Sequence, residues 1–239
     1  MRLQYTDSMS AFRAILASAA LAGLVAAQTP VSFPTQDGGI VYADLYGSGA
    51  RGVVLAHGGR CAVPVCGFTK ASWAPQARAL SEAGFRVLAI DLRVYSPPRD
   101  GAELKLDDGG LRFDVLAAVR YLRKTGARTV SIVGASMGGD AATEALEAAK
   151  PGEIDRLVVL AAGAYGHPEK WKARKLFIVA RDDANEEGLR LPRIRAKYDQ
   201  APDPKELIVL EGSAHAQFLF NTDQGERLMR EILRFLSAP

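Results

Sequence analysis

Six short apolar runs, Gly52–Ala56, Phe85–Ile90, Thr129–Val133, Leu157–Ala162, Leu176–Ala180 and Glu206–Leu210, recur along this chain with helix-patterned or polar sequence between them. Each is short and mostly lacks polar–apolar alternation, so each reads as a strand covered on both faces. Strands of that kind, joined by helical segments, make a mostly parallel sheet with helices on both faces, an α/β architecture. Between the runs, Ser72 is placed to cap a helix reaching about Ala83, with Pro75 tolerated in its first turn and Gly84 as its stop. Leu111, Val115, Ala118 and Leu122 fall at helical spacing up to Gly126, and Gly139–Ala149 is a small-residue helical stretch. Leu228, Ile232 and Phe235 mark a final amphipathic helix. Ahead of the six runs, Val31–Phe33 and Ile40–Tyr46 flank Asp37-Gly38-Gly39 and predict a hairpin.

Of the 239 residues, 48% are hydrophobic and 24% charged, enough for one substantial core. The formal net charge is only +3 and the basic residues are scattered, which argues against a nucleic-acid-binding face. From Ala14 to Ala27 the chain is an unbroken run of 14 small or apolar residues, preceded by Arg13 and closed by Val25-Ala26-Ala27. That is the layout of a cleavable secretory signal, and the run is too short to span a bilayer comfortably. Residues 1–27 are therefore expected to be a signal peptide and residues 28–239 a single domain, secreted or periplasmic, with no stable membrane insertion. Cys61 and Cys66 are the two cysteines. In an exported protein they predict a local disulfide, and without a second pair they make a poor zinc site, so no metal is expected.

The chemistry centres on Gly134-Ala135-Ser136-Met137-Gly138, which follows the β-branched run 129–133 and precedes a helix. A serine between two glycines at a strand–turn–helix junction is a nucleophile elbow, where a Cβ at either flank collides with the neighbouring strand or helix. A serine hydroxyl needs a base to take its proton and an acid to orient that base. The chain has three histidines. His215 lies in a loop at the carboxyl end of the last strand and is the candidate base. His57, in the turn His57-Gly58-Gly59, is better suited to shaping that turn through side-chain hydrogen bonds. His167 lies in a loop without a partner motif. The acid should project from a strand end between Ser136 and His215, and Asp182-Asp183 after the Leu176–Ala180 run is the only such carboxylate pair.

These motifs together resemble the α/β-hydrolase fold family, in its small, lidless form, and the resemblance covers the whole of 28–239. It implies an α/β-hydrolase fold whose mostly parallel central sheet carries helices on both faces. In that family the acid usually lies three residues after a glycine closing its strand; here Ala180 takes the glycine's place, and counting three from it favours Asp183 over Asp182. The resemblance assigns the oxyanion hole to the backbone N–H groups of Gly59 and Met137, with Arg60 as a weaker candidate contact. It also matches the family's Asp-x-Arg-Gly-x-Gly segment to Asp91-Leu92-Arg93, where Val94 and Ser96 replace the glycines and put a bulkier loop beside the site entrance. Only 13 residues, Gly163 to Lys175, separate two strands where many members insert a cap, so no cap domain and an open pocket are expected. Dehalogenases of this fold use an Asp nucleophile and dienelactone hydrolases normally a Cys, whereas this chain has Ser136. The implied function is a serine hydrolase cleaving small-molecule carboxylic esters through an acyl-enzyme, with no cofactor. A peptidase or thioesterase of the same fold, and a non-catalytic binding protein, are the alternatives.

Overall fold

The computed structural model describes residues 28–59, 67–93, 110–162 and 166–239. The expected signal peptide, Arg60, the Cys61–Cys66 pair, Val94 and Ser96 lie outside the described residues. The chain runs β1 (Thr29–Pro34), β2 (Ile40–Tyr46), β3 (Arg51–Ala56), α1 (Ala74–Glu82), β4 (Phe85–Ile90), α2 (Leu111–Lys124), β5 (Thr129–Ala135) and α3 (Met137–Ala148). It continues through β6 (Arg156–Leu160), β7 (Arg174–Ala180), a small hairpin of β8 (Ala184–Asn185) and β9 (Gly188–Leu189), α4 (Arg190–Gln200), β10 (Lys205–Leu210) and α5 (Gly225–Ser237).

Among the described residues the main sheet has the order β1-β2-β4-β3-β5-β6-β7-β10. The hairpin pairs antiparallel within itself and β2 antiparallel to β4, while β4, β3, β5, β6, β7 and β10 are parallel. The chain moves from β3 out to β4 and then returns to β5 on the other side of β3. That reversal opens a crevice at the carboxyl ends of β3 and β5, the place where open α/β sheets bind ligands.

Alternation along the strands divides the core in two. Val54, Ala56, Ile132, Val159 and Phe177 face α2, α3 and α4, with Val115, Ala142 and Ile194 packed on them. Val53, Leu55, Val133, Leu160 and Ile178 face α1 and α5, against Leu80, Leu228, Ile232 and Phe235. No cap domain is present among the described residues: between β6 and β7 they form one 3-10 turn, Pro168–Lys170, and no other helix.

Two details depart from local expectation. Ser72 does not cap α1. It sits inside a 3-10 turn, Lys70–Trp73, from which α1 continues, and its hydroxyl donates to Thr69 O. The fourth run ends early: β6 stops at Leu160 because Ala161 takes φ +52, with its N–H on Ile178 O at 2.8 Å. At the end of β4, Arg93 joins the hairpin turn to α2, with Nη2 donating to Asp37 Oδ1 at 2.9 Å and Nε to Asp114 Oδ1 at 2.8 Å. Hydrogen bonding from Arg93 pulls the Asp37 carboxyl down to about 2.

Candidate active site

Crowding builds the position of Ser136. β5 ends at Ala135 and α3 begins at Met137, so Ser136 makes the whole turn at φ +50, ψ −122. A left-handed conformation of this kind costs a residue with a side chain about 1–3 kcal/mol. Ser136 N–H donates to Leu160 O at 2.9 Å, and Ser136 O accepts from Gly139 N–H at 2.8 Å and Asp140 N–H at 3.0 Å. A Cβ on Gly134 would lie 2.5 Å from Gly138 O, and one on Gly138 would lie 2.5 Å from His57 O and closer still to Ala56 O. A Cβ on Gly139 would strike the Ala162 side chain. Strand, turn and helix therefore interlock only with hydrogen at these positions.

The other site residues arrive from neighbouring strand ends. The loop after β7 and the loop after β10 continue as a ladder beyond the sheet: Arg181 N–H donates to Leu210 O at 2.8 Å and Asp182 N–H to Gly212 O at 2.9 Å. Arg181 and Glu211 add an exposed two-pronged ion pair over the same loops, with bonds of 3.0 and 2.7 Å. This places Asp183 Oδ2 2.7 Å from His215 Nδ1, and His215 Nε2 2.8 Å from Ser136 Oγ. The carboxylate has no proton to give, so Nδ1–H donates to it and Nε2 is left to accept from the serine hydroxyl. The Asp183 side chain is 1% exposed and that of His215 28%, so the acid is buried while the base reaches solvent. Asp182 faces outward.

His57 is fully buried. Leu92 N–H donates to its Nε2 at 3.1 Å, which leaves the ring proton on Nδ1 to donate to Gly58 O at 2.7 Å. The imidazole thus latches the turn after β3 to the end of β4. Gly58 lies beside the nucleophile, since a Cβ built on it would be 3.6 Å from Ser136 Cβ. Gly59 follows directly and is half-buried. Met137 opens α3, where the first N–H groups of a helix have no intrahelical partner and the helix dipole is positive. His167 is exposed and faces Glu169 at 3.5 Å.

Two contributors carry no motif. Arg190, the first residue of α4, donates its backbone N–H to Asp183 O at 2.8 Å and holds Nε 3.3 Å from Asp183 Oδ1. Each carboxylate oxygen of Asp183 therefore has its own neighbour, His215 on one and Arg190 on the other. Gln217, 5% exposed, accepts from Gly58 N–H at 2.8 Å through Oε1 and donates from Nε2 to Ser72 Oγ at 3.1 Å. The only sequence signal for Gln217 is its place two residues after His215. Ala216 between them has φ +48, a second strained backbone beside the site.

Among the described residues, no group of three or more His, Cys, Asp or Glu side chains could hold a metal ion. No helix among them is long and apolar enough to cross a membrane. A cleft of about 640 Å³ opens at the opposite ends of β6 and β7, lined by residues such as Glu147, Lys150, Lys172 and Arg174, away from Ser136.

A family model described as the alpha/beta hydrolase fold matches residues 52–237. No curated protein sequence matches the chain significantly. Among solved structures, the chain is similar to the esterase Pf2001 of Pyrococcus furiosus, with a TM-score of 0.69 at 17% identity, covering 88% of this chain and 92% of that one. It is also similar to a dienelactone hydrolase from Anabaena variabilis, with a TM-score of 0.65 at 22% identity over 88% of this chain and 96% of that one. An esterase from Exiguobacterium antarcticum matches with a TM-score of 0.67 at 16% identity, over 88% of this chain and all of the other (100%). At these identities the likeness is one of fold.

Proposed function

The chain belongs to the α/β-hydrolase fold family, and from that premise we propose that it is a serine hydrolase acting on carboxylic esters. The observation that carries this reading is the unbroken hydrogen-bonded series Ser136–His215–Asp183. As Ser136 Oγ attacks the ester carbonyl carbon, its proton passes to His215 Nε2. Asp183 accepts from Nδ1–H throughout and stabilises the imidazolium that forms. The carbonyl oxygen becomes an oxyanion held by the N–H groups of Met137 and Gly59, donors worth about 10²–10³ in rate each. His215 then returns its proton to the departing alcohol, leaving an acyl group on Ser136. Water, deprotonated by the same imidazole, attacks that acyl carbon; as the bond to Ser136 Oγ breaks, His215 returns the proton to Oγ and the acid leaves. The bias toward esters draws on esterases among the structural neighbours.

A fluorophosphonate probe tests the reading directly. The wild-type protein is expected to be labelled and Ser136→Ala not, with ester turnover in the variant reduced at least about 10⁴-fold. Absence of labelling on folded wild-type protein would overturn catalysis in favour of a binding protein. p-Nitrophenyl esters assayed against aminoacyl amides separate an esterase from a peptidase.

A further inference from the structure

We infer that Phe68 and Phe218 form the wall of an apolar subsite that seats an aromatic or bulky apolar group of the ester beside Ser136, an assignment that rests on the esterase reading. Gly58 is the shelf between ring and nucleophile. The point a Cβ on Gly58 would occupy lies 3.4 Å from Phe68 Cδ2 and 3.6 Å from Ser136 Cβ, so the two side chains flank the same small opening. Phe218 adds the second ring of the wall. It lies three residues after His215, and its ring stands 5.0 Å from that of Phe68 at a tilt of 59°. Phe218 is 36% exposed, one of three large apolar residues so exposed among the described residues.

The presentation of Phe218 is built rather than incidental. Its N–H donates to His215 O at 3.0 Å, in a 3-10 turn that starts on the left-handed Ala216. The next residue back, Gln217, is buried and tied to Gly58 N–H. The wall is thus braced by the same contact that holds the turn beside Ser136. An aromatic pair open on one side favours a third flat apolar group, through area burial and edge-to-face contact. Gly58 is the narrowest residue at the shelf, and a side chain there would fill the gap between Phe68 and Ser136.

The test compares kcat/KM for ethyl phenylacetate and benzyl acetate, each relative to ethyl acetate, in wild type, Phe218→Leu, Phe218→Ala and Phe68→Leu. In wild type at least one aromatic ester is expected to be preferred, and that preference should fall about tenfold in the alanine variant and less in the leucine variants. An unchanged ratio in all variants, with Ser136 still labelled by fluorophosphonate, overturns the wall and leaves the esterase standing. If no ester is turned over and no label is taken up, the esterase reading fails instead. The wall is then read by NMR titration of N-benzylacetamide against N-butylacetamide. Preferential binding of the benzyl compound, lost in Phe218→Ala, supports the wall, and equal binding of the two overturns it.

Discussion

Gln217 is the side chain whose removal most sharply separates positioning from chemistry. Its amide joins the loop of the candidate base to the turn carrying Gly58 and Gly59 across 159 positions of sequence, through a bond to Gly58 N–H and not to the serine or the imidazole. Gln217→Ala leaves the Gly58 N–H unpartnered, at a cost of about 1–3 kcal/mol in stability. Under the esterase reading it is expected to lower kcat about tenfold with little change in KM, because the turn is needed most when the oxyanion forms. Affinity for a boronate transition-state analogue should fall in step with kcat, and Gln217→Glu should recover part of both. A purely structural role predicts lower thermal stability with kcat per folded molecule unchanged. Ser136, Asp183 and His215 are legible in the sequence because each closes or follows a strand with a local motif. Gln217 and Arg190 are not, since their partners lie in other loops.

At the scale of elements, the junction of β5 and α3 tolerates the least change. The flanking glycines are needed because backbone, not a yielding side chain, surrounds them. Gly138→Ala would drive a methyl into Ala56 O and His57 O. It is expected to destabilise the fold by about 1–3 kcal/mol, visible as a lower thermal midpoint, and to displace the turn beside Ser136. Gly58→Ala, with its nearest atom at 3.4 Å, should cost much less stability in the same melt. The elements hidden from the sequence are those with weak local patterns. α4 turns only a narrow stripe to the core, Ile194 with the partly buried Leu191 and Tyr198, on a helix that is otherwise mostly charged, so its apolar pattern is weak. The β8–β9 hairpin has two residues in each strand, both exposed. The entry to α1 differs from a simple serine cap because the Ser72 hydroxyl donates to Thr69 O and accepts from Gln217 Nε2 instead.

For the whole molecule, one charge in the core is decided by tertiary packing. Lys175 lies on β7 one residue before the apolar run 176–180, fully buried, with Nζ donating to Trp171 O at 2.8 Å and Ala173 O at 2.7 Å. Burial pushes its amine from 10.5 down to about 8. Between those values the unfolded chain holds a proton that the folded protein has lost. Stability therefore rises with pH from about 8 to about 10.5, and that contribution is lost again as pH falls through about 8. Denaturant melts across this window should show a rise of up to about 3 kcal/mol in wild type that is missing from Lys175→Met. Periodicity and turn chemistry are local, so residue order alone shows a parallel α/β sheet with helices on both faces and a serine, an aspartate and a histidine at strand ends. The fold adds that β3 lies between β4 and β5, which sets the His57 turn against Ser136. It also turns Asp183 inward and brings His215 to a hydroxyl 79 positions away. Strand order and loop direction arise from contacts between distant segments, and no short stretch of sequence contains both sides of such a contact.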